Sequence, residues 1–206
     1  PGVVLKKEDI RIKSSKRWTT PLSPEMFQKV TGLETYPPYL EKDVQGSLLR
    51  VYSNGEINYT IKGVHAKVSV IWNFEAPEGT GDTHYSTMRG SNAELMIRQG
   101  EAEDYKPTLY IMPTFIESSD EFRRALEQGV EQLAEKYPGI GIREIDELLW
   151  VVDIPESYKV GHEAHFGQVT EKYLEFLQSG NLPEWEIPNM IVKYYTTTGG
   201  MKKAME

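Results

Sequence analysis

The chain has 206 residues, 23 Lys and Arg against 31 Asp and Glu, and no Cys, a length that can bury a real core without disulfides or a structural metal. The missing Cys excludes disulfides, thiolate nucleophiles, zinc ribbons and iron–sulfur ligation, and a formal charge of −8 argues against a nucleic-acid partner, which needs surplus Lys and Arg for phosphates. No run approaches the roughly 20 apolar residues of a membrane span and Pro1 to Leu5 lack a signal-peptide pattern, so no membrane partner is expected; composition leaves the compartment open.

In chain order, Ile10 and Ile12 alternate with Arg11 and Lys13 as a first strand, which Ser14-Ser15 is expected to break. Ser23-Pro24-Glu25 starts a short helix, with Ser as N-cap and Pro at the first helical position, and Gly32 ends it. Tyr36-Pro37-Pro38-Tyr39 reads as a stiff extended loop.

From Gly46 to Pro113 the pattern is β. Leu48 to Tyr52 and Ile57 to Ile61 flank Asn54-Gly55, the strongest short hairpin signal, because both residues tolerate positive φ. Val64, Ala66, Val68, Val70 and Trp72 share one parity, which predicts a strand with one buried and one wetter face. Ala76 to Asp82 is a loop, followed by strands at His84 to Arg89, Ala93 to Arg98 and Thr108 to Met112. This succession predicts one antiparallel meander rather than βαβ repeats.

Ser118 and the residues after it cap a helix reaching about Lys136, with Phe122, Leu126, Val130 and Leu133 as its apolar stripe. Ile140 to Ile154 reads as a buried strand, and Ala164 to Leu177 as a second helix ended by Gly180. The tail from Met190 fits a helix or a strand, with Trp185, Tyr194 and Tyr195 as its anchors. The expected class is α+β: a large, mostly antiparallel open sheet with helices packed on one face.

No single motif carries chemistry. Gly79-Thr80-Gly81 joins strands instead of opening a helix, and no P-loop is present. His162-Glu163-Ala164-His165 is one residue short of the zinc-protease spacing, so local packing at a helix start is the favoured reading over metal or ligand contact. His84, beside Asp82, Tyr85 and Arg89 at a loop-to-strand edge, can present an imidazole to a hydroxyl or carboxylate. Glu101, Glu103 and Asp104 read as a solvated acidic loop.

Two stretches together carry a resemblance: Gly161-His162-Glu163-Ala164-His165-Phe166 through Tyr173 to Leu177, Leu182 to Glu186 and Lys193 to Thr197, and Asp82-Thr83-His84-Tyr85 through Gly90 to Leu95. Both resemble the C-terminal domain of oxidoreductases of the glucose–fructose oxidoreductase / inositol dehydrogenase (Gfo/Idh/MocA) family. The resemblance implies that residues 1–206 form a single substrate-binding and oligomerisation domain. Its partners would then be a sugar-like small molecule, its own N-terminal Rossmann domain, and further copies joined through the open sheet. This sequence has no Gly-x-Gly-x-x-Gly, Glu-Lys-Pro or Asp-x-x-x-His, so the resemblance implies no catalytic or cofactor-binding residue here. NAD or NADP is expected in the full-length parent, and the chain alone should be inactive. His84, Tyr85, His162 and His165 carry over as substrate-pocket positions. The alternative is a free-standing ligand-binding or protein-interaction module.

Overall fold

The computed structural model describes residues 2–115 and 119–206. Contacts divide the chain into two compact units, one of Pro1–Glu75 and Phe176–Glu206, the other of Ala76–Glu175. The class is α+β with antiparallel pairing throughout, but the strands form two sheets, not one meander. In chain order the Ala76–Asp82 loop falls between the strands Val64–Val70 and His84–Arg89, and in it Pro77 lacks an N–H for a ladder and Gly79 sits at φ 79°.

In the first unit β1 (Ile10–Leu22) pairs with the long β3 (Leu48–Ile61), which also pairs with β2 (Val44–Gln45) and β4 (Val64–Val70). Ser14-Ser15 does not end β1; the strand absorbs irregularities at Ile12/Ser14 and Trp18/Thr20, and Ser15 Oγ donates to the Glu56 carbonyl at 3.0 Å. Asn54-Gly55 is not a turn either. Asn54 is buried, its Nδ2 donating to the Trp18 carbonyl and Thr20 Oγ1 while its Oδ1 accepts from the Trp72 N–H. These partners, 18 to 36 residues away, override the local signal. The turn falls instead at Lys62 and Gly63, both at positive φ.

Helix α1 (Pro24–Thr31) begins on Ser23, whose Oγ accepts from the Met26 N–H, and ends at Gly32 in the left-handed region. It packs Phe27 on Leu22 and Leu49, with Tyr36 edge-on to Phe27; the following Pro38–Asp43 is a 3₁₀ turn rather than extended. The tail resolves as helix α4 (Glu186–Lys203), which lies on β1. Its Gly199 and Gly200 let it approach closely: a Cβ there would sit 2.5 Å from Ile12 Cδ1 and 2.5 Å from Ile57 Cδ1. Trp185 packs on Gly2, whereas Tyr194 and Tyr195 are exposed and anchor nothing in this unit. The apolar face of β4 is also uncovered, with Val64, Val68 and Val70 half or more exposed, because α4 lies over β1 instead.

In the second unit the order is β5 (His84–Arg89), β6 (Ala93–Gln99), β7 (Thr108–Pro113), β9 (Leu149–Asp153) and β8 (Gly141–Asp146). The expected single strand over Ile140–Ile154 is a hairpin, turned where Leu148 takes φ 62°. Helix α2 (Ser119–Lys136) sets Phe122 and Leu126 against Ile111, Trp150 and Val152. The Ser118 cap lies outside the described residues. Helix α3 (Gly161–Ser179) has no buried residue; Phe166, Val169, Tyr173, Leu174 and Leu177 all face water. No helix among the described residues is long and apolar enough to cross a membrane.

Candidate functional site

Strand alternation distributes the chemistry of the five-stranded sheet. On one face the pairing aligns Tyr85, Arg98 and Thr108 in a row, and Thr87, Met96, Tyr110, Val151 and Arg143 in the next. Met96, Tyr110 and Val151 form a small buried cluster. The Arg98 guanidinium stacks over the Tyr110 ring at 5.0 Å and its Nη2 lies 3.4 Å from Met96 Sδ.

Tyr110 donates its hydroxyl to Glu103 Oε1 at 3.0 Å, and the Gly100 N–H donates to Glu103 Oε2 at 3.1 Å. Glu103 is therefore a structural acceptor, not a solvated charge as its acidic neighbourhood suggested. Burial first, then this hydrogen bond and the Glu103 charge, push the Tyr110 phenol above its ordinary pKa. Beside them Thr87 Oγ1 is buried with no protein partner among the described residues.

Thr108 also lines a cavity of about 350 Å³ at the same end of β7 and β9, a size at the small end of ligand pockets. Its walls combine apolar Leu109, Val151 and Ile154 with Arg143, Asp153 and Lys159. Arg143 Nη2 meets Asp153 Oδ1 at 3.3 Å, and Lys159 Nζ meets Glu156 Oε1 at 2.5 Å. The Lys159 hydrogen bond and charge hold the Glu156 carboxyl below its usual range. At the rim Gly139 takes φ 89°, and a Cβ there would come 3.0 Å from Pro155 Cγ. Charged donors and acceptors beside apolar side chains can take a small molecule bearing hydroxyls.

The four residues singled out from sequence lie elsewhere in this unit. His84 and Tyr85 are exposed neighbours on the edge strand β5, so they project to opposite faces. His162 and His165 stand near the start of α3, with the His162 ring tilted 48° to Phe166 at 4.8 Å between centroids and its Nδ1 3.9 Å from Glu163 Oε1. No residue of either pair lines the cavity. Among the described residues no group of three or more His, Asp or Glu converges on a metal position. Sequence reasoning missed Thr108, Arg143 and Asp153, which only the pairing of β7, β9 and β8 brings together, and Lys159 at the end of the Glu156–Tyr158 turn.

A comparison with curated proteins gave no match. Among solved structures, a putative oxidoreductase from Parabacteroides merdae ATCC 43184 is 47% identical with a TM-score of 0.97; the match covers 100% of this chain and 47% of that one. This chain therefore spans about half the length of that relative. The family model described as "Putative oxidoreductase C terminal domain" matches residues 1–205, and the chain belongs to that family.

Proposed function

We propose that this chain is the substrate-binding and assembly half of an NAD(P)-dependent oxidoreductase of the Gfo/Idh/MocA family, acting on a sugar, polyol or derivative and inactive without a nucleotide-binding half. The observation that carries this reading is the oxidoreductase C-terminal family match over residues 1–205, in a sequence with no nucleotide fingerprint. Hydride transfer needs a carrier, so chemistry belongs to the joined protein. The part of this chain is to bind and orient. In this reading Thr108, Arg143, Asp153 and Lys159 hold substrate hydroxyls, while His84, Tyr85, His162 and His165, outside this cavity, stay candidate substrate-pocket positions of the joined protein.

Assembly rests on a second observation. Val64, Val68 and Val70 lie exposed on β4, and a second copy of this chain would cover them. A free-standing interaction module would use the same uncovered surface.

NADH fluorescence separates the readings. The chain alone is expected to leave NADH emission unchanged, and the chain joined to a Rossmann half is expected to bind NADH and oxidise a polyol. Tight NADH binding by the chain alone, or no activity in the joined protein, would overturn the assignment.

A further inference from the structure

The polar face of the four-stranded sheet carries cations along its length. Toward its middle they are neutralised: Glu56 takes Lys67 at 2.9 Å and Lys16 at 3.7 Å. At the β3–β4 turn they are not. Arg11, Thr60 and His65 form one cross-strand row on β1, β3 and β4, with Lys13 and Lys62 beside it. These five residues line a cleft of about 470 Å³ together with Glu8, Asp9 and Gly63.

Three cations, Arg11, Lys13 and Lys62, face two carboxylates in this lining, Glu8 and Asp9. Asp9 is engaged in the turn itself, its carboxylate accepting the Lys6 N–H and its carbonyl the Lys62 N–H, each at 2.9 Å. Among the described residues no side chain of Arg11, Lys13, Lys62 or His65 has an ion pair or hydrogen bond. The floor is Thr60, 7% exposed, whose hydroxyl has no protein partner and lines the cleft. An open hydroxyl beside cations that have no ion pair is a donor set that an anion can fill.

We propose that this cleft binds the dianionic head of a phosphate monoester, with Arg11 giving paired N–H donors, Lys13 and Lys62 point charges, and Thr60 a hydroxyl donor at the base. A guanidinium fork matches phosphate geometry, and charge-assisted bonds to it are the strong ones. The cleft exceeds a bare phosphate in volume and has no apolar wall, which fits a small polar body on the ester oxygen. The site belongs to the first unit and the cavity at β7 and β9 to the second, and the site does not rest on the oxidoreductase assignment.

Calorimetric titration of the whole chain with glycerol 3-phosphate, inorganic phosphate and glycerol tests it. Saturable binding of glycerol 3-phosphate is expected, weaker for inorganic phosphate and absent for glycerol. Arg11→Gln should weaken it by about tenfold or more, equivalent to about 1.4 kcal/mol. Thr60→Val should weaken it while Thr60→Ser restores it, and Arg123→Gln, in the second unit, should leave it unchanged. Arg11 is exposed, so its variant folds whatever becomes of Thr60. No saturable binding in the wild-type chain, or equal weakening by Arg123→Gln, would overturn the site. Equal affinity for both phosphates would overturn the monoester class.

Discussion

Asn54 ties three backbone segments together with one amide, bonding the Trp18 carbonyl, the Thr20 hydroxyl and the Trp72 N–H from a buried position. Asn54→Ala leaves the Trp72 N–H and the Trp18 carbonyl without this partner, and the cost should be about 2–4 kcal/mol. A lower urea midpoint at unchanged slope would register it. Tyr110 makes a residue-level claim about pH. Its folded pKa is raised, so an unfolded phenol releases its proton first, at about 10. Its contribution is whole below that pH and falls as pH rises through the folded value. Tyr110→Phe should flatten the alkaline decline in stability, seen as a smaller drop in melting temperature between pH 9 and pH 11.

Helix α4 shows how glycine is used in an element. Gly→Ala in a helix ordinarily stabilises by about 0.5–1 kcal/mol. At Gly167 in α3 nothing lies within 4 Å of the added Cβ, so Gly167→Ala should raise the melting temperature. At Gly200 the Cβ would lie 2.5 Å from Ile57 Cδ1 and 2.9 Å from its Cγ1. Packing strain of about 1–3 kcal/mol then outweighs the helical gain, and Gly200→Ala should lower it. Comparing the two variants by thermal denaturation checks both signs. The run Thr196-Thr197-Thr198-Gly199-Gly200 was ambiguous in sequence because β-branched Thr and flexible Gly are poor helix formers; the two glycines let α4 approach Ile12 of β1 and Ile57 of β3.

For the whole molecule the uncovered apolar surface matters most. Valines 64, 68 and 70 alternate correctly for a buried face, yet 50% or more of each is exposed. A second copy over β4 would make the association sensitive to charge placed there. Val64→Lys with Val68→Lys should shift the protein toward the monomer in light scattering without changing its circular dichroism. An unchanged mass would remove β4 from the interface.

What was readable from local chemistry was what local chemistry controls. The Ser23 cap, the Gly32 and Gly180 stops, Phe122 and Leu126 of the α2 stripe and the strands from His84 to Pro113 depend on neighbours a few residues away, whereas Leu133 of that stripe is exposed. His84 and Tyr85 were found on their strand for the same reason, but a strand's alternation separates them. The rest depends on partners far along the chain. Asn54 leaves the turn conformation for bonds to Trp18, Thr20 and Trp72, and the strands divide into two sheets where Pro77 and Gly79 interrupt the ladder. Arg143 meets Asp153, and Arg11 meets Thr60 and His65, through strand register, which long-range hydrogen bonds set and no local pattern encodes.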